Sequence, residues 1–140
     1  MPERPFKLGI YTRFGPVYEG EVLSTRLPLV TGSLGVWYGH SPMLAEVTVG
    51  LLEADAVGGD TQLFAVSEGF AEISAAGISV LCRSAERSLE IDLERAEQAL
   101  ERARLRLAKE SHSEEHESID EARAQRALQR ALNRLKVSNR

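Results

Sequence analysis

An antiparallel β-sandwich followed by an antiparallel two-helix hairpin, an α+β chain of two units, is the fold this sequence predicts. Two observations carry that reading. All eleven glycines, all five prolines and all eight aromatic residues precede position 78, whereas residues 86–140 hold 12 basic and 12 acidic residues spaced by Ala and Leu. A Gly-rich, β-branched, aromatic composition thus gives way to charged helix formers. The second observation is the hydrophobic period, which changes from two to between three and four along the chain. The break falls near Ser84–Glu90, giving units 1–85 and 86–140.

In the first unit, turn signals recur about every ten residues, at Gly15-Pro16, Gly32, Gly39, Gly50, Gly58-Gly59-Asp60, Gly69 and Gly77. Between them lie runs of β formers such as Phe6–Thr12, Val17–Val30, Leu44–Val49, Thr61–Val66 and Ile78–Cys82. Phe6, Leu8 and Ile10 alternate with other residues, as do Ile78 and Val80. Short strands so spaced, with no helical period, read as an antiparallel sandwich or barrel. Thr31–Pro42 reads as a glycine-rich loop.

The second unit begins where Asp92 is placed to cap the first exposed amides of a helix. Leu93, Ala96, Leu100, Ala103 and Leu107 then form one apolar stripe. A second stripe, Ala124, Ala127, Leu128, Ala131, Leu132 and Leu135, follows the capping box Ser118-x-x-Glu121. The intervening Glu110–Glu117 is too polar to bury. Two narrow stripes and a short connection make an antiparallel hairpin. Alanine buries little area, so the seam is weak and the hairpin is a candidate switch.

Composition limits what such a chain does. A net charge of -4 and a pI near 5.4 argue against coating nucleic acid. One cysteine, Cys82, excludes an internal disulfide and a cysteine zinc cage. No apolar run approaches the roughly 18 residues of a membrane span, and Met1-Pro-Glu-Arg-Pro5 leads into no signal sequence. A soluble intracellular protein is expected, with membrane association only through a partner.

The chemistry-bearing candidates are few. His112-Ser-Glu-Glu115-His116 fits the H-x-x-E-H string of inverted zinc peptidases, but it sits in the polar connection, where a solvated turn is the better reading. His40 has no companion nucleophile motif, and Cys82 lies among apolar strand residues. Neither a phosphate loop nor a G-x-G-x-x-G occurs. No catalytic residue is assigned. Ala122–Arg140 is basic throughout, with Arg123, Arg126, Arg130 and Arg134 broadly on one helical face. Without an aromatic for base stacking, nucleic acid is disfavoured. A solvated face and a site for a phosphorylated ligand or acidic partner both remain open.

Thr31-Gly-Ser-Leu-Gly-Val-Trp-Tyr-Gly-His-Ser-Pro-Met-Leu44 resembles the G-x-L-G-x-x-x-G-H-x-P stretch of the epsilon subunits of F-type ATP synthases. Gly15–Glu19, Val66–Ile73, Ala85–Arg87, Ile91–Ala96 and Arg130–Leu135 extend the resemblance in order from Phe6 to about Val137. Tyr38 stands where the family commonly has Pro, Ser33 where it has an acidic residue, Met43 for Leu and Glu68 for Gly. The connection at 112–117 is longer than usual.

The resemblance implies a ten-stranded sandwich, a two-helix hairpin and no catalytic residues or required cofactor. It implies a central-stalk subunit joining gamma to the c-ring of a complex that makes ATP from an ion gradient. That places the chain at the cytoplasmic face of the cell membrane, attached through the complex. The loop with Gly32, Ser33, Tyr38 and His40 would face the c-ring. Arg123 and Arg126, with Arg130 and Arg134, would meet acidic surface on the alpha/beta catalytic head when the hairpin extends and inhibits hydrolysis. Some bacterial relatives carry I/L-D-x-x-R-A, matched by Ile91, Asp92, Arg95 and Ala96. In these relatives ATP is a regulatory ligand, and the implied site adds Glu86, Arg102, Arg130 and Arg134. The alternative for these arginines is pairing with Glu94 and Glu101. Alternatives for the whole chain are a free-standing nucleotide-sensing adaptor, a basic-helix nucleic-acid binder and a metal-dependent hydrolase.

Overall fold

The computed structural model describes residues 4–111 and 118–138. Its described residues form two compact units, Met1–Ser88 and Leu89–Arg140. The first holds nine strands: β1 (Phe6–Thr12), β2 (Gly15–Leu29), β3 (Gly32–Trp37), β4 (Met43–Val47), β5 (Gly50–Ala56), β6 (Thr61–Val66), β7 (Gly69–Ser74), β8 (Gly77–Cys82) and β9 (Ala85–Arg87). A 3-10 turn, Ser88–Glu90, leads to α1 (Leu93–Ser111) and α2 (Ser118–Ser138).

The sheet runs β1-β8-β7-β4-β2-β5-β6-β9, with β3 added on β2, and it closes because β1 also pairs β2. The 15-residue β2 serves both layers. Its first half pairs β1 from Phe6↔Val22 to Thr12↔Gly15, and its second half lies between β3 and β5. The register slips between Val22 and Ser24, the kind of irregularity that bends a strand and increases its twist. Nine strands stand among the described residues, one fewer than the ten implied by resemblance, with Gly15–Leu29 continuous as β2.

Two details differ from the sequence reading. The β1–β8 pairing is parallel, Leu8 opposite Ile78, because distant segments meet there with no hairpin turn to dictate direction. Gly32–Trp37, read as loop, is strand β3, paired along β2 from Ser24↔Trp37 to Leu29↔Gly32. Of the glycines that suggested a loop, Gly32 and Gly39 take positive φ at the two ends of the strand, whereas Gly35 within it is shielded by a ring. The Trp37 ring lies over Gly35, as Tyr11 lies over Gly9 and Tyr18 over Gly20, leaving no room for a Cβ.

Alternation sends Leu8, Ile10, Val22, Leu27, Leu52 and Phe64 into one core. The sequence break after Ala85 is replaced by one after Ser88. Ala85–Arg87 add to β6, with Glu86 opposite Ala65. Arg87 seals this edge, its guanidinium 5.5 Å from the Tyr18 ring centre and 5.9 Å from that of Phe64. Those two rings meet edge-on at 5.3 Å. A serine clasp fixes the neighbouring turn: Ser84 donates from its backbone N–H to Ser67 Oγ at 2.8 Å, and Ser67 is buried.

In the second unit α1 and α2 pack on one another. Ala96, Ala103, Ala124 and Ala131 are wholly buried, as the stripes predict. Leu93 and Leu132, assigned to the same stripes, are about half exposed. At 3.6 residues per turn they sit roughly 60–100° off the line of the alanines, at the margin of the seam. α2 begins at Ser118.

Close packing in the β unit is testable at Gly69. A Cβ there would overlap the Leu81 carbonyl oxygen and approach the Cys82 Cα at 2.6 Å, so backbone would have to move. Gly69→Ala is expected to lower stability in urea titration by about 2 kcal/mol. A loss under about 0.5 kcal/mol, the scatter of neutral surface changes, would contradict this packing.

Candidate functional site: an aromatic turn and an arginine flank

The first candidate surface follows β3. Gly39, at φ +84°, turns the chain, and the His40 backbone N–H donates to the Trp37 carbonyl at 3.3 Å. His40 Nδ1 donates to the Ser41 carbonyl at 2.7 Å, which leaves Nε2 as the outward nitrogen. Trp37 and Tyr38 are 56% and 50% exposed, far more than large rings usually are. The Arg4 guanidinium stacks 4.3 Å from the Tyr38 ring centre. Phe6, Trp37, Tyr38, His40, Pro42 and Ile73 line a cavity of about 240 Å³ at this end of the β unit. Gly32 and Ser33 lie at the start of β3, exposed. Arg4, Phe6 and Trp37 were not singled out in the sequence. The signal for Trp37 was its i+2 spacing from Gly35.

The second surface is on the hairpin. Asp92 caps α1 as its position predicts: its Oδ1 accepts from the Arg95 backbone N–H at 3.2 Å, and its carbonyl from that of Ala96 at 2.9 Å. Each of the four seam alanines is immediately preceded by an arginine: Arg95, Arg102, Arg123 and Arg130. In an antiparallel helix pair, the positions just before the seam on both helices lie along the same flank. Arg95, Arg102, Arg130 and Arg134 therefore share one side of the hairpin. Arg95, Arg102 and Arg123 are exposed, while Arg130 and Arg134 are half-buried, with the Arg134 Nε shielded from solvent. Arg126 lies at the outer edge of the same side and is exposed. The arrangement suits bidentate binding of phosphate or carboxylate oxygens.

Of the remaining nucleotide residues implied by resemblance, Ile91 and Ala96 are buried. The Ala96 methyl lies on the apolar stripe of α1. Glu86 stands on β9 of the β unit, so the hairpin alone does not supply it. Arg106, not singled out before, follows Arg102 by one turn.

Other groups offer no reaction centre. Burial pushes the Cys82 thiol up to about 11, so it stays protonated and unreactive at neutral pH. Asp55 is held below the usual carboxylate range by hydrogen bonds from Ser24 at 2.6 Å and Thr61 at 2.8 Å, which staple β2, β5 and β6. Among the described residues no group of three or more His, Cys, Asp or Glu is placed to hold a metal. The string His112–His116 lies outside the described residues. No helix among the described residues is long and apolar enough to cross a membrane.

Comparison with known proteins matches both units. The beta-sandwich domain of the ATP synthase delta/epsilon chain matches residues 5–88, and its long alpha-helix domain matches residues 90–139. An ATP synthase epsilon chain of Priestia megaterium is 39% identical over 100 residues, 71% of this chain and 74% of that one. That of Anoxybacillus flavithermus is 41% identical over 104 residues, 74% and 77% of the two chains. A chain in the Euglena gracilis mitochondrial ATP synthase OSCP/F1/c-ring structure shares the fold, with TM-score 0.76, 22% identity, and coverage of 100% of this chain and 84% of that one.

The cap separates two roles that one substitution would confuse. Asp92→Ala is expected to lower hairpin stability by about 1 kcal/mol, read as loss of helical signal on heating. Asp92→Asn keeps an acceptor at the cap and is expected to melt within a few tenths of a kcal/mol of the parent. Equal melting of both variants and the parent would remove Asp92 from the cap.

Proposed function

The chain belongs to the delta/epsilon family of F-type ATP synthase subunits, and on that premise we propose that it couples c-ring rotation to gamma and restrains ATP hydrolysis through its hairpin. It is a non-catalytic subunit of the central stalk. The ordered match of both units to the two family domains carries the reading, and the two surfaces distribute its parts.

The β unit docks gamma and the c-ring. The end bearing Gly32, Ser33, Tyr38 and His40 meets the c-ring, since half-exposed rings around a small cavity gain most when a partner covers them. The complex is held at the cytoplasmic face of the cell membrane, and this chain reaches the membrane only through it. Replacing Tyr38 and His40 together by Ala is expected to weaken binding to a gamma–c-ring complex at least tenfold with the thermal melt unchanged. Binding within twofold of the parent would place the c-ring contact elsewhere.

The hairpin senses ATP. Arg95, Arg102, Arg130 and Arg134 embrace the triphosphate along one flank, and Asp92 lies at the end of α1 where a ribose or base is within reach. Because ATP binds the closed hairpin, it stabilises that form by RT ln(1 + [L]/Kd). When ATP is scarce the hairpin extends, and Arg123 and Arg126, with Arg130 and Arg134, meet acidic surface on the alpha/beta head. That contact is screened by salt.

Calorimetry of the whole chain is expected to show ATP binding at millimolar ligand or below, weakened at least tenfold by Arg95→Ala. No heat at millimolar ATP would sink the nucleotide site. Deleting residues 118–140 is expected to raise hydrolysis by the assembled enzyme without loss of assembly, and unchanged hydrolysis would remove the inhibitory role.

A further inference from the structure

A cavity of about 450 Å³ opens on the outward side of β1, β2 and β8. Its floor is Gly9, and the Tyr11 ring lies over the place a Cβ would take. Glu19 stands opposite Gly9 across the β1–β2 pair, so no β1 side chain faces it directly, and the Tyr11 hydroxyl donates to its carboxylate. Glu21, two residues on, stands opposite Lys7. A ring face beside a carboxylate suits a guanidinium, which stacks on the one and pairs with the other. The chain uses such stacking elsewhere: Arg87 lies on Tyr18, Arg4 on Tyr38, and Arg13 on Phe14 at 4.7 Å. Of its three tyrosines, Tyr11 alone carries no stacked cation among the described residues.

The same face is apolar beyond Tyr11. Leu81 pairs with Tyr11 on one side and Phe70 on the other, and Leu44 lies one row away on β4. Alternation turns all three outward, where Leu44, Phe70 and Leu81 are 72%, 55% and 59% exposed. A contiguous strip of that kind marks a docking surface. Glu46 stands opposite Phe70 and Glu72 opposite Leu44, so the paired strands of this face present four glutamates and one lysine. Two copies of the chain would set these carboxylates against each other, whereas a basic, amphipathic segment complements them. Ser74, Gly77 and Ile78 also line the cavity at the aromatic end, so this surface runs on from the one assigned to the c-ring. We propose that the Gly9 cavity receives an arginine side chain of gamma, its guanidinium stacked on Tyr11 and paired with Glu19, while apolar residues of the same segment cover Leu44, Phe70 and Leu81. The proposal rests on the reading of the β unit as the part that docks gamma.

The test measures binding of the full-length chain to an alpha/beta/gamma complex prepared without it, at low and at physiological ionic strength. Glu19→Gln keeps an acceptor for the Tyr11 hydroxyl but removes the charge. It is expected to weaken binding by about tenfold or more and to flatten its salt dependence. Phe70→Ser, at an exposed position, is expected to weaken binding by about tenfold with salt dependence and thermal melt unchanged. Glu21→Gln makes the same charge change opposite Lys7 and is expected to cost less than about threefold. Binding by the parent, with all three variants within twofold of it, would overturn this docking face and leave gamma docking itself in place. Equal losses from Glu19→Gln and Glu21→Gln would overturn the socket, since net charge alone would then account for them. No binding by the parent would overturn the gamma reading together with the socket. Sedimentation of the chain alone is expected to show a monomer. A dimer that Phe70→Ser dissociates would give the strip to a second copy and overturn the proposal.

Discussion

Everything in the β unit depends on one strand that pairs on both sides. β2 takes β1 with its first half and β3 and β5 with its second. The slip at Val22–Ser24 turns it between the two sets of partners. A straight strand of that length would leave an open edge at one end, and unpaired edges invite aggregation. Because β2 turns, β1 closes the sheet and its parallel pairing with β8 follows. The end of the unit is shaped by the same strand, since β3 hangs on β2 and delivers Trp37, Tyr38 and His40 to the rim. The aromatic turn is thus fixed by backbone hydrogen bonds, with a stacked Arg4 on its outer side.

The hairpin obeys a different constraint. Its seam is built from methyl groups, and small side chains let helices approach closely. The same alanines set the charge pattern. With an arginine before each one, closing the seam in an antiparallel sense brings those arginines to one flank, while the glutamates of α1 stay clear of it. Seam packing in the hairpin therefore also sets where its arginines lie. The β unit is held differently: its core is apolar, and its exposed Asp55 is stapled by two hydroxyls.

Much of this was legible in the sequence, and the reasons are physical. The two units, the helix cap at Asp92 and the alanine stripes depend on local composition and spacing, which a sequence displays directly. β3 was misread because Gly32, Gly35 and Gly39 look alike in sequence, yet Gly35 lies under a ring while Gly39 turns the chain. Ala85–Arg87 were cut from their unit because three residues are too few to show a period, and only the partner strand β6 reveals them. The parallel β1–β8 pairing depends on where distant segments meet. Leu93 and Leu132 show the limit of stripe counting: the right spacing brought them to the edge of the seam and left them half exposed. For the hairpin site, the arginines were visible one helix at a time. Their common flank needed the antiparallel pairing, and that brought in Arg106.

Magnitudes separate the two units. The hairpin seam buries Ala96, Ala103, Ala124, Ala131 and Val137, and each buried methyl is worth about 0.8 kcal/mol. A ligand at 100 times its Kd contributes about 2.7 kcal/mol to the form that binds it. In the β unit the core draws on eight of the nine strands, and burying a single Leu, Ile or Phe is worth about 1.5–3 kcal/mol. No ligand term of this size reorganises such a core. The two units thus differ in side-chain size, with large branched residues filling the sheet core and alanine lining most of the helix seam.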